Sequence, residues 1–105
     1  MSEIRHFTEE EAKKVGDNLG IDWTRWDIEQ FRKGMDVELE HGQVSPFTNV
    51  TDDDPFITGK IALAHLNEFP DYYTRLEILE DEAEKFWENK FGLTKSELLT
   101  KLITY

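Results

Sequence analysis

Cysteine is absent from this 105-residue chain, which excludes a disulfide framework, a thiolate metal centre and thiol catalysis. Any metal must therefore bind through oxygen and nitrogen. Positive charge is scarce as well: 12 Lys and Arg stand against 23 Asp and Glu, a formal net charge of −11. No basic cluster with interleaved aromatics offsets that excess, which argues against contact with a nucleic-acid backbone and in favour of a basic protein partner. Long apolar runs are missing, and the opening "MSEIRHFTEEEAKK" is acidic where a signal peptide needs a basic and then an apolar stretch. A cytoplasmic protein without a membrane segment is the expectation. No stretch alternates apolar and polar residues with the period of a strand, and no internal repeat occurs.

Enough apolar material remains for a core. Hydrophobic residues make up 38% and aromatics 12% of the chain, which separates it from disordered acidic tails. A single domain of this length buries about two thirds of its unfolded surface.

Helix punctuation then orders the chain. Thr8 and Glu11 form a capping box that opens a first helix, expected to run to about Leu19, with Gly20 and Ile21 placed for a Schellman turn. A second helix begins between Trp23 and Asp27 and carries Ile28, Phe31, Met35 and Leu39 on one face until Gly42 stops it after His41. The loop "GQVSPFTNVTDDD" follows, long enough to be functional. Asp54 caps and Pro55 opens a third helix, expected to reach Phe69 before Pro70 breaks it. Asp71 caps a fourth, which Gly92 closes, and a capping box at Thr94 and Glu97 opens a short fifth. The expected fold is all-α, a compact antiparallel bundle of four to five helices in one domain. Ile28, Phe31, Met35, Leu39, Ile57, Ile61, Leu63, Leu66, Leu76, Leu79, Phe86 and Trp87 are its expected core.

The third helix is apolar nearly all round, so its polar residues need explaining. His65 and Glu68 share a side with Ile57, Ile61 and Ala64, because side chains three or four apart lie above one another. On the second helix Glu38 and His41 border the apolar stripe, and Gly34, one turn earlier, permits close approach of another helix. An antiparallel contact would set E-x-x-H against H-x-x-E and gather two carboxylates and two imidazoles, ligands suited to zinc, iron or manganese. Glu80 on the fourth helix is a further candidate ligand, and Tyr72 and Tyr73 are candidate hydrogen-bond donors. The E-x-x-H element resembles part of the ferritin-like di-iron carboxylate proteins, but the second pair here is reversed and only one full motif is present. Against the metal stands a plainer reading, in which the four side chains form charge-assisted hydrogen bonds that set helix register.

Other motifs carry less. "TDDDP" lacks the spacing, glycine and final glutamate of an EF-hand and is read as helix capping. Two adjacent tyrosines after a helix break ordinarily cover a core edge with their hydroxyls in water. Trp23 and Trp26 are read as core or core-rim residues. Nucleotide-binding and hydrolase signatures are absent, so catalysis is disfavoured.

"FRKGMDVELEHG", "TNVTDDDP" and "GKIALAHLNEFPDYYTRLE" together resemble a family of small bacterial, archaeal and viral domains of unknown function. Its pattern is E-x-E-H followed by I-A-x-x-H-L-x-E-x-P-x-Y-Y. The resemblance implies that Glu38, Glu40, His41, His65, Glu68, Pro70, Tyr72 and Tyr73 belong to the family signature. Two functions stay open: a domain holding a divalent metal at Glu38, His41, His65 and Glu68 with Glu80, or a non-enzymatic acidic interaction module whose Glu/His cluster is structural.

Overall fold

Thr8 opens the first helix as its sequence dictates: its hydroxyl accepts the Glu11 N–H at 3.0 Å while the Glu11 carboxylate accepts the Thr8 N–H at 2.9 Å. In the computed structural model, which describes residues 5–91, this helix, α1, spans Glu9–Leu19. Gly20 ends it at φ 77°, and the Ile21 N–H reaches back to Gly16 O at 2.9 Å. Asp27 caps α2 (Ile28–Glu38), which tightens into a 3₁₀ turn over Leu39–His41 before Gly42. Asp54 caps α3 (Pro55–Leu66), with Pro55 at its first position. Tyr72–Phe91 form α4. The described residues are thus helical, without a strand, and none of their helices is long and apolar enough to cross a membrane. The expected stop at Gly92 and the fifth helix from Thr94 lie outside the described residues. The chain divides into two compact units, residues 1–73 and 74–105, within what the sequence suggests is a single domain.

In the first unit α2 packs on both α1 and α3, and α1 also touches α3. Phe31 and Met35 of α2 and Leu39 of the 3₁₀ turn are buried as expected, together with Leu66. On α3, however, the inward face is not the large apolar one. Thr58, Gly59, Ala62 and Leu66 are buried, whereas Ile57 is 42% exposed and Ala64 is exposed. Size decides this face. Were Gly59 to carry a Cβ, it would collide with Val15 of α1 and press on Phe31 of α2, so the three helices approach closely only where α3 is thin. Thr58 tolerates full burial because its hydroxyl donates to Asp54 O at 2.7 Å. Phe7, Ala12, Val15, Ile21 and Tyr73 join the core, while Leu79 and Phe86, expected there, are exposed. Trp23 is a rim residue, resting against Gly16, edge-on to Phe31, with its indole N–H on Asp17 at 2.8 Å.

The register of α2 on α3 also differs from the expected opposed one. Phe31 lies against Gly59, and further along both helices Glu38 reaches His65, so the pairs advance in the same sense. An antiparallel contact would reverse the second pair. Glu38 of E-x-x-H therefore meets His65 of H-x-x-E, in the opposite sense from the expected contact.

The N-terminal segment is tied to α2 by a polar cluster that sequence reading passed over. Asp36 accepts the Phe7 N–H at 2.7 Å, Arg32 at 2.9 Å and the His6 ring at 3.2 Å. The same guanidinium forks onto Glu29, and that pairing raises the Arg32 pKa and lowers that of Glu29. Spacings of three and four on one helix were the available signal.

Candidate functional site

Glu38 sits at the end of α2, 2% exposed, where a lone carboxylate would be strongly disfavoured without donors. Three groups meet it. Tyr73, near the start of α4, donates its hydroxyl hydrogen to Oε2 at 2.7 Å. His65, in the last turn of α3, places Nδ1 3.0 Å from the same oxygen and 3.1 Å from the Tyr73 hydroxyl. His41, on the 3₁₀ turn, brings Nε2 to 3.6 Å from Oε1, an ion-pair distance rather than a hydrogen bond. Both imidazoles thus converge on one carboxylate.

The hydrogen positions follow from this set. A carboxylate only accepts, and the Tyr73 hydrogen is already committed to Oε2, so the His65 nitrogen facing both oxygens must itself carry a hydrogen. His65 is an Nδ1–H donor. Its ring lies flat on Tyr72, with centroids 4.5 Å apart and planes 3° from parallel, and Tyr72 in turn meets Tyr73 edge-on at 5.1 Å. Tyr73 runs along α2 to reach Glu38. Its ring covers Gly34, where any Cβ would overlap it. Gly34 thus permits the close approach expected, but of a tyrosine side chain.

Glu68 does not join the cluster. Because α3 ends at Leu66, Glu68 falls in the following turn, its N–H on His65 O at 3.0 Å, and is exposed. Pro70 accounts for the early stop, since a residue before proline is pushed out of the helical region. Glu80 is part of the second unit and half-buried. Glu40 is exposed. Among the described residues no group of three or more Asp, Glu or His side chains is arranged to hold a metal ion. Tyr73 departs from the expected solvated tyrosine: it is 2% exposed and its hydroxyl is inside.

Burial first, and the Glu38 carboxylate second, push the Tyr73 hydroxyl far above its ordinary value. The unfolded chain ionises this tyrosine at about pH 10, whereas the fold keeps it neutral. The stabilisation is therefore complete below about pH 10 and declines as pH rises beyond it. Denaturant unfolding at rising alkaline pH should show this decline in the wild type and not in Tyr73→Phe, and phenolate absorbance should assign Tyr73 ionisation to the unfolding step. Ionisation of Tyr73 near pH 10 in the folded chain would contradict the burial of its hydroxyl.

The acidic "TDDDP" closes a loop more than it caps a helix. Only Asp54 caps α3. Asp52 and Asp53 occupy left-handed φ values of 52° and 62°, and Asp53 accepts the Gln43 N–H at 2.9 Å while Asp52 takes the Gln43 amide at 2.9 Å. Asx chemistry explains why aspartates tolerate that backbone.

Residues 12–82, well over half the chain and including every member of the cluster, match the family model described as protein of unknown function, DUF5661; the chain belongs to that family. No curated protein and no solved structure matches it.

Proposed function

We propose that, within this family of unknown function, the chain is a non-enzymatic acidic interaction module for a basic protein partner, and that its Glu/His cluster is a structural fastener. One observation carries the reading: the Glu38 carboxylate already takes hydrogens from Tyr73 and His65 and faces His41. A carboxylate so engaged joins α2, α3 and the first turn of α4, and leaves the surface, with its net charge of −11, to do the recognising. Four to five helices in a bundle are the scaffold this reading assumes.

A divalent metal, zinc, iron or manganese, is the second reading. Its support is that two imidazoles flank one carboxylate, and that a histidine whose ring N–H is held by a carboxylate is the usual form of a metal ligand. For Glu38 itself to ligate a metal it must give up Tyr73 and His65, and Glu68 lies exposed in the turn after α3.

Thermal unfolding of untagged protein with added zinc, iron or manganese separates the two. The fastener reading expects no rise in midpoint for the wild type; a rise that His65→Ala abolishes would establish the metal instead. Association with a basic partner should weaken steeply with salt, because exposed charges are screened over about 10 Å at 0.1 M. Salt-independent association would overturn the electrostatic part of the proposal.

A further inference from the structure

Between the 3₁₀ turn and α3, the loop over residues 42–54 reverses the ordinary arrangement of side chains. Two of its three hydroxyl residues, Ser45 and Thr51, are 8% and 1% exposed, with Thr48 exposed, whereas Val44, Phe47 and Val50 are 73%, 73% and 76% exposed. Apolar side chains in a loose loop would need no comment, but this backbone is pinned. Val50 and Thr51 both donate to His41 O, at 2.6 and 3.1 Å, Thr48 donates to Ser45 O at 3.3 Å, and Asp52 donates to the Asn49 side chain at 2.8 Å. Asp53 closes the loop onto Gln43 from a left-handed backbone position. A fixed loop presents its apolar side chains without an ordering cost at the moment of binding. Charge supplies the second constraint. From Glu40 to Asp54 the chain carries Glu40, Asp52, Asp53 and Asp54 and neither Lys nor Arg; Glu40, Asp52 and Asp54 are exposed, and Arg5 reaches the loop at Asp53 O, 3.4 Å away.

We propose that this loop is the docking surface of the module, and that its occupant is a basic, amphipathic helical segment of a partner protein. The segment's apolar face covers Val44, Phe47 and Val50 while its Lys and Arg residues meet the flanking carboxylates. Apolar anchors ringed by complementary charge are the usual composition of such a contact. The assignment rests on the interaction-module reading and specifies where on the molecule it operates.

The test is a titration of the full chain with a synthetic helical peptide of alternating leucine and lysine faces, followed by backbone amide NMR, with the same peptide carrying glutamate for lysine as control. The lysine peptide should shift amides confined to the loop and the start of α3, and bind at least about tenfold more tightly than the glutamate peptide. Combined Val44→Ser, Phe47→Ser and Val50→Ser substitution should weaken it by at least about tenfold without altering the helical circular dichroism, since exposed side chains contribute little to folding. If the lysine peptide binds but shifts amides elsewhere, the loop assignment is wrong and the acidic module survives. If neither peptide binds, both fail. Sedimentation showing a dimer that the triple substitution dissolves would assign the loop to a second copy of this chain and overturn the proposed occupant.

Discussion

Glu38→Ala is expected to lower the free energy of unfolding by roughly 2–5 kcal/mol, made up of about 1–3 kcal/mol for the buried Tyr73 donor left without its acceptor and the cost of the cavity. The substitution leaves the Tyr73 hydroxyl and the His65 Nδ1–H without their acceptor and opens a cavity where the carboxylate was. Against a typical native stability of about 5–15 kcal/mol, that brings a domain of this size close to unfolding at ambient temperature. Glu38→Gln keeps the volume and one carbonyl acceptor, so its loss should be clearly smaller. Urea unfolding of the three proteins measures the order. Equal losses for Ala and Gln would show that the charge, and not the shape and acceptor set, holds the site.

Gly34→Val is the second large effect, and its sign comes from comparing two magnitudes. Adding a Cβ to a helical glycine ordinarily gains up to about 1 kcal/mol. Here the new atoms coincide with the buried Tyr73 ring, and overpacking of that kind costs about 1–3 kcal/mol. Moving the ring also withdraws its hydroxyl from Glu38, a hydrogen bond to a charged group worth about 1.5–3 kcal/mol. The packing and hydrogen-bond losses win, and a net loss on the order of 3 kcal/mol is expected. Tyr73→Phe in the Gly34→Val background discriminates the two parts, since a ring already displaced has no hydroxyl bond left to lose. An additive double variant would mean that Tyr73 keeps its bond to Glu38 in the presence of the valine.

Local chemistry made much of the helical frame legible in the sequence. Thr8 with Glu11, Gly20, Asp27, Asp54 with Pro55, and the break at Pro70 act within a few residues of themselves, and the chain ends its elements near each of them. What could not be read locally was which face of α3 turns inward. Hydrophobicity points to Ile57 and Ile61, yet close approach selects Thr58, Gly59 and Ala62, because the thickness of a helix matters only once its neighbours are known. The same blindness put Glu68 on α3: a spacing of three from His65 places it on one face only if the helix continues, and Pro70 prevents that.

The candidate site was partly legible for a related reason. Glu38, His41 and His65 do converge, and Gly34 does make room, but α3 ends before Glu68, and the fourth group is Tyr73. A tyrosine can be buried while giving its hydrogen to a carboxylate, and a second carboxylate beside Glu38 would add like-charge repulsion. The inverted loop left no periodic signal at all. Which side of the loop faces inward follows only from the hydrogen bonds of Ser45, Thr51 and Asp53.

The account turns on Glu38 as the acceptor for both Tyr73 and His65. Side-chain nitrogen NMR of histidine reads this directly. His65 should keep a hydrogen on Nδ1 at every pH where the fold persists, as neutral imidazole or as imidazolium. A neutral His65 with its hydrogen on Nε2 and a bare Nδ1 would contradict the cluster as described.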